Sequence, residues 1–211
     1  MADMETEFHK RWLGMAEPID GLVVTVPVLC DAQAMARQPP DAQRRLTQAG
    51  AGGPPLTRVL LPPLKDGRPR REIIDLPEFL ARALALSPDL FDRGSDDLCL
   101  YVPEGQETLR PSLALRHSMP PVPDLPADAS AAARAALPYV MLVLDLPGVP
   151  LDEPDRRPGH WAYPPQAKFD RLLRHCRVPI GLLTNREELR LCYAPPLESS
   201  GVLTFRVGDL A

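Results

Sequence analysis

The sequence predicts an α/β (α+β) fold in which a mixed β-sheet carries flanking helices and long proline-rich loops. Between residues 161 and 205, an amphipathic helix pattern is followed by strand patterns. The hydrophobic content is 45% of 211 residues, enough for a sizeable core. The 27 prolines argue against a continuous sheet or helix bundle in the middle of the chain, because proline interrupts both structures.

The helix pattern consists of apolar residues at positions i, i+3, i+4 and i+7: Phe169, Leu172, Leu173 and Cys176. The other side of this helix is expected to carry Lys168, Asp170, Arg171 and Arg174. An apolar run from Val178 to Thr184 predicts a buried strand, and the alternation from Leu189 to Tyr193 predicts a half-buried one. Residues 185–188 are expected to form the turn between them.

An earlier helix is predicted to begin after Asp75, because Asp75 and Glu78 form a capping-box pattern, and to end before Pro88. Two paired strands are predicted over 98–102 and 108–117, around a turn at 103–105. Further strand patterns cover 113–115 and 139–144.

The first part of the chain predicts a strand at 22–29 and a helix at 30–48 that Pro39 and Pro40 should divide. Residues 118–136 are expected to form a variable connection. The predicted organisation is a helical and extended leader over residues 1–55 and an α/β domain over 56–211, or else one compact domain over 1–211.

Several segments resemble the amino-terminal region of type IIG-like restriction–modification and defence-system DNA adenine methyltransferases. They are FHKRWLGMAEPIDGLVVTVPVL, EGQETLRPSLAL, VPIGLLTN, YAP and ESSG-x-LTF. The resemblance implies a leader that precedes a methyltransferase domain, which binds S-adenosylmethionine and carries an Asn-Pro-Pro-aromatic motif. This chain contains neither a glycine-rich cofactor loop nor that motif. It is therefore expected to be a leader cut out of, or split from, a larger protein, with no cofactor of its own.

The order of elements also resembles a PD-(D/E)XK nuclease, whose chemistry requires two acids that bind Mg²⁺ and a lysine that positions the attacking water. Ser112 stands where the first acid would be. Asp145 keeps the second carboxylate, but Pro147 replaces the lysine, while Gln166 with Phe169 preserves the pattern of the following helix. The prediction is a degenerate, restriction-endonuclease-like scaffold without catalytic residues. The same residues are explained equally well as ordinary strand-end and turn sequence.

The net charge of −4 argues against a basic coat over the whole surface, so any DNA contact must be local. Arg171, Arg174 and Arg177 are the DNA-binding candidates, although a solvated face also explains them. No metal is predicted, because cysteines and histidines show no ligand spacing. The acids of the 151–160 loop, Asp152, Glu153 and Asp155, are expected to be solvated.

The predicted function is a non-catalytic domain for DNA engagement or assembly within a DNA methyltransferase. The expected partners are DNA and the methyltransferase domain or other defence subunits. Two alternatives remain: an active Mg²⁺-dependent DNA nuclease, and an interaction module that docks a helicase or partner subunit. The sequence has no run of 18 apolar residues and no signal-peptide pattern, which predicts a cytoplasmic protein without a membrane span.

Overall fold

The computed structural model describes residues 40–48, 53–93, 96–116 and 139–210. Over these ranges the protein is a mixed α+β fold with a six-stranded mixed sheet and few helices. The elements in chain order are α1 (Pro40–Thr47), β1 (Thr57–Leu60), β2 (Arg70–Ile73), α2 (Leu76–Arg82), β3 (Phe91–Asp92), β4 (Leu100–Val102), β5 (Glu107–Leu109), β6 (Leu113–Arg116), β7 (Tyr139–Asp145), α3 (Pro165–Cys176), β8 (Ile180–Thr184), β9 (Glu188–Tyr193) and β10 (Gly201–Arg206).

The large sheet has the strand order β10-β9-β8-β7-β6-β3. Within it, β7 and β8 run parallel and are connected through α3, as a parallel pair requires a crossover segment. The other neighbouring pairs are antiparallel. The β1–β2 and β4–β5 hairpins form two separate two-stranded sheets.

The helix α3 lies on one face of the large sheet, and the predicted apolar stripe is buried there. Gly181 of β8 allows this close approach, because a Cβ at this position would be only 2.5 Å from Cε1 of Phe169. Arg177 caps the carboxyl end of the helix; it has a left-handed backbone with φ 55° and donates its backbone N–H to the last turn.

Alternating residues of the central strands supply two cores. On the α3 face, Leu142 and Leu183 pack with Phe169 and with the β4–β5 hairpin. On the opposite face, Val143 and Leu182 pack with α2, the β1–β2 hairpin and Leu46 of α1. Each strand is therefore apolar on both sides, as is typical of a strand covered on both faces.

Most of the predicted elements within the described residues are confirmed, and most of their ends differ by one or two positions. The helix α2 already ends at Arg82, and the strands β1 and β2 were not predicted. Asp75 caps α2 as predicted, accepting a hydrogen bond of 2.8 Å from the backbone N–H of Glu78. The predicted pairing of 98–102 with 108–117 is wrong in extent. Only 100–102 pairs with 107–109, and Leu113–Arg116 leaves the hairpin to join the large sheet beside β7.

The predicted strand at 22–29 and the connection at 118–136 lie outside the described residues. Within the predicted 30–48 helix, Pro40–Thr47 is helical, and the residues before Pro40, on which the expected division depends, lie outside the described residues. The boundary predicted between residues 55 and 56 stays a prediction. No helix in the described part of the chain is long and apolar enough to cross a membrane.

Candidate functional site

Ser112 and Asp145, which the sequence analysis compared with nuclease positions, lie next to each other at the carboxyl end of β7. β6 begins just after Ser112 and the antiparallel β7 ends at Asp145, so the pairing brings the two residues together. The Oγ of Ser112 accepts a hydrogen bond of 3.0 Å from the backbone N–H of Asp145. The Ser112 hydroxyl therefore orders the end of β7.

The carboxylate of Asp145 is bound by Arg186, in the turn between β8 and β9. The Nη2 of Arg186 donates to Oδ2 at 2.7 Å, and Nε lies 3.2 Å from both oxygens. A further hydrogen bond of 3.0 Å joins Nη1 to the carbonyl oxygen of Ile74. Hydrogen bonding to Asp145 raises the pKa of Arg186, so the guanidinium is charged at any ordinary pH.

Neither Pro147 nor Gln166 forms a hydrogen bond with Asp145 or Arg186. Pro147 is exposed in the turn that follows β7. The side-chain amide of Gln166 donates to Asp170 at 2.9 Å and approaches Sγ of Cys192 at 3.4 Å. Its backbone N–H donates to the carbonyl oxygen of Leu151 at 3.0 Å. Gln166 thus connects α3 to the neighbouring loop and to β9.

The three candidate DNA-binding arginines occupy the last two turns of α3 and its end. Arg171 forms an exposed ion pair with Glu104 and lies 6.0 Å from the ring centroid of Trp161. The Nη2 of Arg174 donates to the carbonyl oxygen of Glu198 at 3.3 Å. Arg177 is exposed beyond the helix. The structure brings these residues to one end of α3 but not to the edge that holds Asp145.

The two most buried charged residues, Asp155 and Lys168, belong to a different group, here termed the lysine cluster: Glu107, Asp155, Arg157, His160 and Lys168. The Nζ of Lys168 lies 2.7 Å from Oε2 of Glu107 and 3.6 Å from Oδ2 of Asp155. Asp155 also accepts two side-chain hydrogen bonds from Arg157, at 2.9 and 2.7 Å. The Nδ1 of His160 lies 2.6 Å from Oε1 of Glu107.

Two expectations are wrong here. Lys168, expected on the polar side of its helix, has a side chain only 6% exposed, and Asp155, expected to be solvated, has one only 2% exposed. The favourable pairing of each explains why burial is tolerated, since an unpaired buried charge would be very costly. Asp152 from the same acid trio instead binds Arg190 through both of its carboxylate oxygens at 2.6 Å.

The pairing shifts the protonation of both carboxylates in the lysine cluster. Burial alone would raise the pKa of Glu107, but hydrogen bonds from Lys168 and His160 outweigh it and the pKa falls below its ordinary value. Hydrogen bonds from Arg157 hold the pKa of Asp155 far below its ordinary value, despite burial. Both acids are therefore ionised at neutral pH.

The lysine cluster borders a cavity of about 170 Å³ between α3 and the end of β7. The floor of the cavity is apolar and is formed by Leu109, Leu144, Leu146, Phe169 and Leu172. An apolar floor with a few charged groups at one side is the usual composition of a small-molecule site. In the described part of the chain, no group of three or more His, Cys, Asp or Glu residues is arranged to hold a metal ion.

An aromatic pair lies beside the lysine cluster and is here termed the aromatic ledge: Trp161 and Tyr163. The two rings are stacked with centroids 4.3 Å apart and planes inclined by 4°. The backbone N–H of Trp161 donates to Oε2 of Glu107 at 3.2 Å, so the ledge is attached to the cluster. Tyr163 remains 43% exposed.

Searches with protein-family models, curated proteins and solved structures found no match to this chain.

Sequence reasoning missed Arg186, the lysine cluster and the aromatic ledge. One signal was present for Lys168, which lies three residues after Pro165 and four before Leu172, at the border of the apolar stripe. No comparable signal pointed to Glu107 or Arg186. Their partners are 61 and 41 residues away in the sequence, so only the folded chain joins them.

Proposed function

We propose that this chain is a non-catalytic domain for DNA engagement or assembly, on a restriction-endonuclease-like scaffold, in a restriction–modification DNA adenine methyltransferase of the cytoplasm. The observation that carries the proposal is the bidentate ion pair between Asp145 and Arg186. In a nuclease of this type, the corresponding carboxylate would bind Mg²⁺. Here a side chain of the protein itself supplies the positive charge.

The arrangement of the central elements supports the scaffold. The antiparallel pair β6 and β7 is followed by α3 and by the parallel strand β8, and Ser112 lies beside Asp145 where the acids of such a nuclease would meet. A serine hydroxyl is neutral and a poor substitute for a carboxylate as a Mg²⁺ ligand. With one acid missing and the other bound to arginine, this edge lacks the charge needed to hold a catalytic metal.

DNA engagement is proposed through Arg171, Arg174 and Arg177. The exposed pair of Arg171 with Glu104 is no obstacle, because surface ion pairs contribute roughly 0 to 1 kcal/mol and a phosphate can replace the carboxylate. Arginine binds phosphate through its planar fork of donors. Contacts of this kind position a protein on DNA without reading its sequence.

The catalytic part of the proposal is tested with plasmid DNA and Mg²⁺ or Mn²⁺. We expect no nicking by the isolated chain. Nicking that disappears in Asp145→Ala would contradict a non-catalytic edge.

A reverse test restores the missing acid. The double variant Ser112→Asp with Arg186→Ala presents two carboxylates and removes the competing guanidinium. We expect Mn²⁺ to raise its melting temperature, as a ligand that binds only the folded state does, while leaving the parent unchanged. A folded double variant without a Mn²⁺ response would count against the nuclease-like scaffold.

The DNA-binding part is tested by fluorescence anisotropy with a labelled 30-base-pair duplex at several salt concentrations. We expect Arg171→Ala/Arg174→Ala/Arg177→Ala to bind more weakly, with a salt slope shallower by roughly 0.9 for each phosphate that the variant no longer binds. The control variant Arg58→Ala/Arg93→Ala removes exposed arginines from other elements and should bind like the parent. No binding by the parent at low salt would remove DNA engagement from the proposal.

The proposed partners of this chain are the methyltransferase domain of the parent protein and other defence subunits. S-adenosylmethionine is expected to bind that methyltransferase domain. Calorimetry of this chain with the cofactor should therefore show no saturable heat. Micromolar binding would mean that the cofactor site lies in this chain.

A Mg²⁺-dependent nuclease remains a second candidate because of the lysine cluster. Glu107, Asp155 and Lys168 are two acids and a lysine, and both acids lie within 4 Å of the same ammonium group. Nicking that disappears in Glu107→Gln but persists in Asp145→Ala would favour this candidate. The present geometry disfavours it, because Lys168 occupies the space between the acids that a metal ion would need.

An interaction module is a third candidate, supported by apolar side chains exposed on the large sheet. Ile180 and Tyr193 are cross-strand partners on β8 and β9, and Leu191 lies two residues before Tyr193 on the same face. Such a patch is suited to a protein partner. Co-purification of a helicase or subunit that is lost in Tyr193→Ser, with DNA binding absent, would favour this candidate.

A further inference from the structure

We propose that the aromatic ledge is a stacking site for an unpaired nucleobase, so that the domain binds single-stranded or locally opened DNA. This inference rests on the proposed function in DNA engagement and specifies what part of the DNA the domain recognises. Neither the arginines of α3 nor the Asp145 edge has this property, because they offer charge but no exposed aromatic face.

The geometry of the ledge suits the addition of a third ring. Trp161 and Tyr163 already stack almost parallel at 4.3 Å, and Tyr163 is 43% exposed although one face of its ring lies on Trp161. Because Trp161 covers one face of the ring, the exposed surface of Tyr163 lies on the rest of the residue, its outer face and edge taken together. A nucleobase can extend this stack because every base has a flat π-face, whereas a base inside an intact duplex is already stacked on both sides.

The ledge is held in place before any ligand arrives. Glu107 accepts the backbone N–H of Trp161 at 3.2 Å, and the backbone N–H of Asp155 donates to the carbonyl oxygen of Tyr163 at 3.2 Å. Both acids are in turn bound by the buried Lys168. The lysine cluster thus fixes the loop at two points, which reduces the entropy lost when a base binds.

The turn between β4 and β5 supports Trp161 from another direction. A Cβ at Gly105 would overlap Cβ and Cγ of Trp161, so glycine is required for the ring to lie where it does. These atoms are close to the backbone and cannot move aside as the end of a flexible side chain would. The backbone of Gly105 has no positive φ, so only this overlap opposes a larger residue.

Cations beside the ledge are suited to the phosphate that accompanies the base. The guanidinium of Arg171 lies 6.0 Å from the centroid of Trp161, and Arg156 is exposed in the loop that leads to the ledge. Their neighbours Glu104 and Asp155 are each paired with an arginine, which reduces repulsion of an approaching phosphate. Aromatic rings interleaved with cations are typical of surfaces that bind single strands.

The test compares binding of a fluorescein-labelled dT12 oligonucleotide with binding of a blunt 30-base-pair duplex, both by anisotropy in the full chain. Tyr163→Ala should weaken dT12 binding at least about fivefold, the lower end of what loss of one base–aromatic stack costs. Tyr163→Phe should retain binding, since the ring is kept. Tyr193→Ala removes a tyrosine of similar exposure, 39%, from β9 and should change dT12 binding less than twofold.

Tryptophan fluorescence provides a second readout. In a Trp12→Phe background, the signal comes from Trp161, and saturating dT12 should quench it. Gly105→Ala should reduce both quenching and dT12 affinity, because the ring is displaced, while duplex binding through the α3 arginines is retained.

Equal dT12 binding by Tyr163→Ala and the parent, with duplex binding intact, would overturn the stacking site and leave the proposed function standing. Absence of binding to either nucleic acid would overturn both.

Discussion

Two ion-paired groups lie near the carboxyl end of β7, on opposite faces of the large sheet. They differ in composition and in burial. Asp145 meets one arginine on the face covered by α2, with side-chain exposures of 16% and 27% for the acid and Arg186. On the α3 face, Lys168 is shared by two acids, and all three side chains are 12% exposed or less. The pattern that was compared with a nuclease therefore includes the more exposed pair, and no sequence pattern pointed to the more buried group.

A short pattern read from the sequence and a deeply buried ion-paired group therefore need not coincide. Removing one partner of a deeply buried pair leaves a charge without solvent or counter-charge, whereas a partly exposed partner can be rehydrated. The lysine cluster should therefore matter more for stability than the Asp145–Arg186 pair. Substitutions in each group and a pH series test this ranking.

The largest effect is expected for Lys168→Ala. The substitution leaves Glu107 and Asp155 buried near each other without the shared ammonium, with His160 and Arg157 as their remaining partners. We expect the free energy of unfolding to fall by about 3 to 4 kcal/mol, the lower part of the range for breaking a buried pair. Urea denaturation measures the change. Lys65→Ala, at an exposed position, should alter stability by less than about 0.5 kcal/mol. Equal changes in the free energy of unfolding for the two variants would contradict a stabilising role of the lysine cluster.

A smaller effect is expected for Arg186→Ala, which removes hydrogen bonds to the partly exposed carboxylate of Asp145. A loss of about 1 to 3 kcal/mol is expected, because charged hydrogen bonds are lost but water can reach the acid. Arg186 has φ 75°, so Arg186→Gly should be less destabilising than alanine by up to about 1 kcal/mol.

The matched control for this variant is Arg177→Ala, where φ is 55° and the side chain is exposed. It should change stability by less than about 0.5 kcal/mol. An equal loss at both positions would show that the backbone conformation, and not the pair with Asp145, determines the effect.

The smallest effect concerns acid pH. Because the pKa values of Glu107 and Asp155 are lower in the folded state, their stabilisation is complete above the unfolded values near pH 4. It is lost progressively as pH falls through the folded values. Urea midpoints measured between pH 5 and pH 3 should therefore decrease, and less steeply in Glu107→Gln. A variant as steep as the parent would assign the acid sensitivity to other carboxylates.

Local sequence patterns predicted the elements around α3 well. The spacing of Phe169, Leu172, Leu173 and Cys176 located the helix, and the apolar run before Thr184 located β8, because each pattern repeats with the geometry of its own element. The same reasoning misplaced Lys168. Hydrophobic periodicity assigns each residue to a helix face by its polarity alone. It contains no information about Glu107, 61 residues away in the sequence, whose charge makes burial of Lys168 tolerable.

The β4–β5 segment shows a second limit. Residues 108–117 read as one strand, yet the chain turns at Arg110–Ser112, and β6 pairs with β7 instead of continuing the hairpin. Strand propensity is similar on both sides of this break, so the partner strand decides where each piece lies.

Local sequence was sufficient to locate α3, β8, β9 and the cap of α2, because these features depend on neighbours within a few residues. Only the tertiary structure decided that Arg186 neutralises Asp145, that Lys168 joins Glu107 to Asp155, and that Tyr163 presents a ring stacked on Trp161. These contacts join strands, turns and loops that come together only when the sheet forms, and their strength depends on burial that no local pattern encodes.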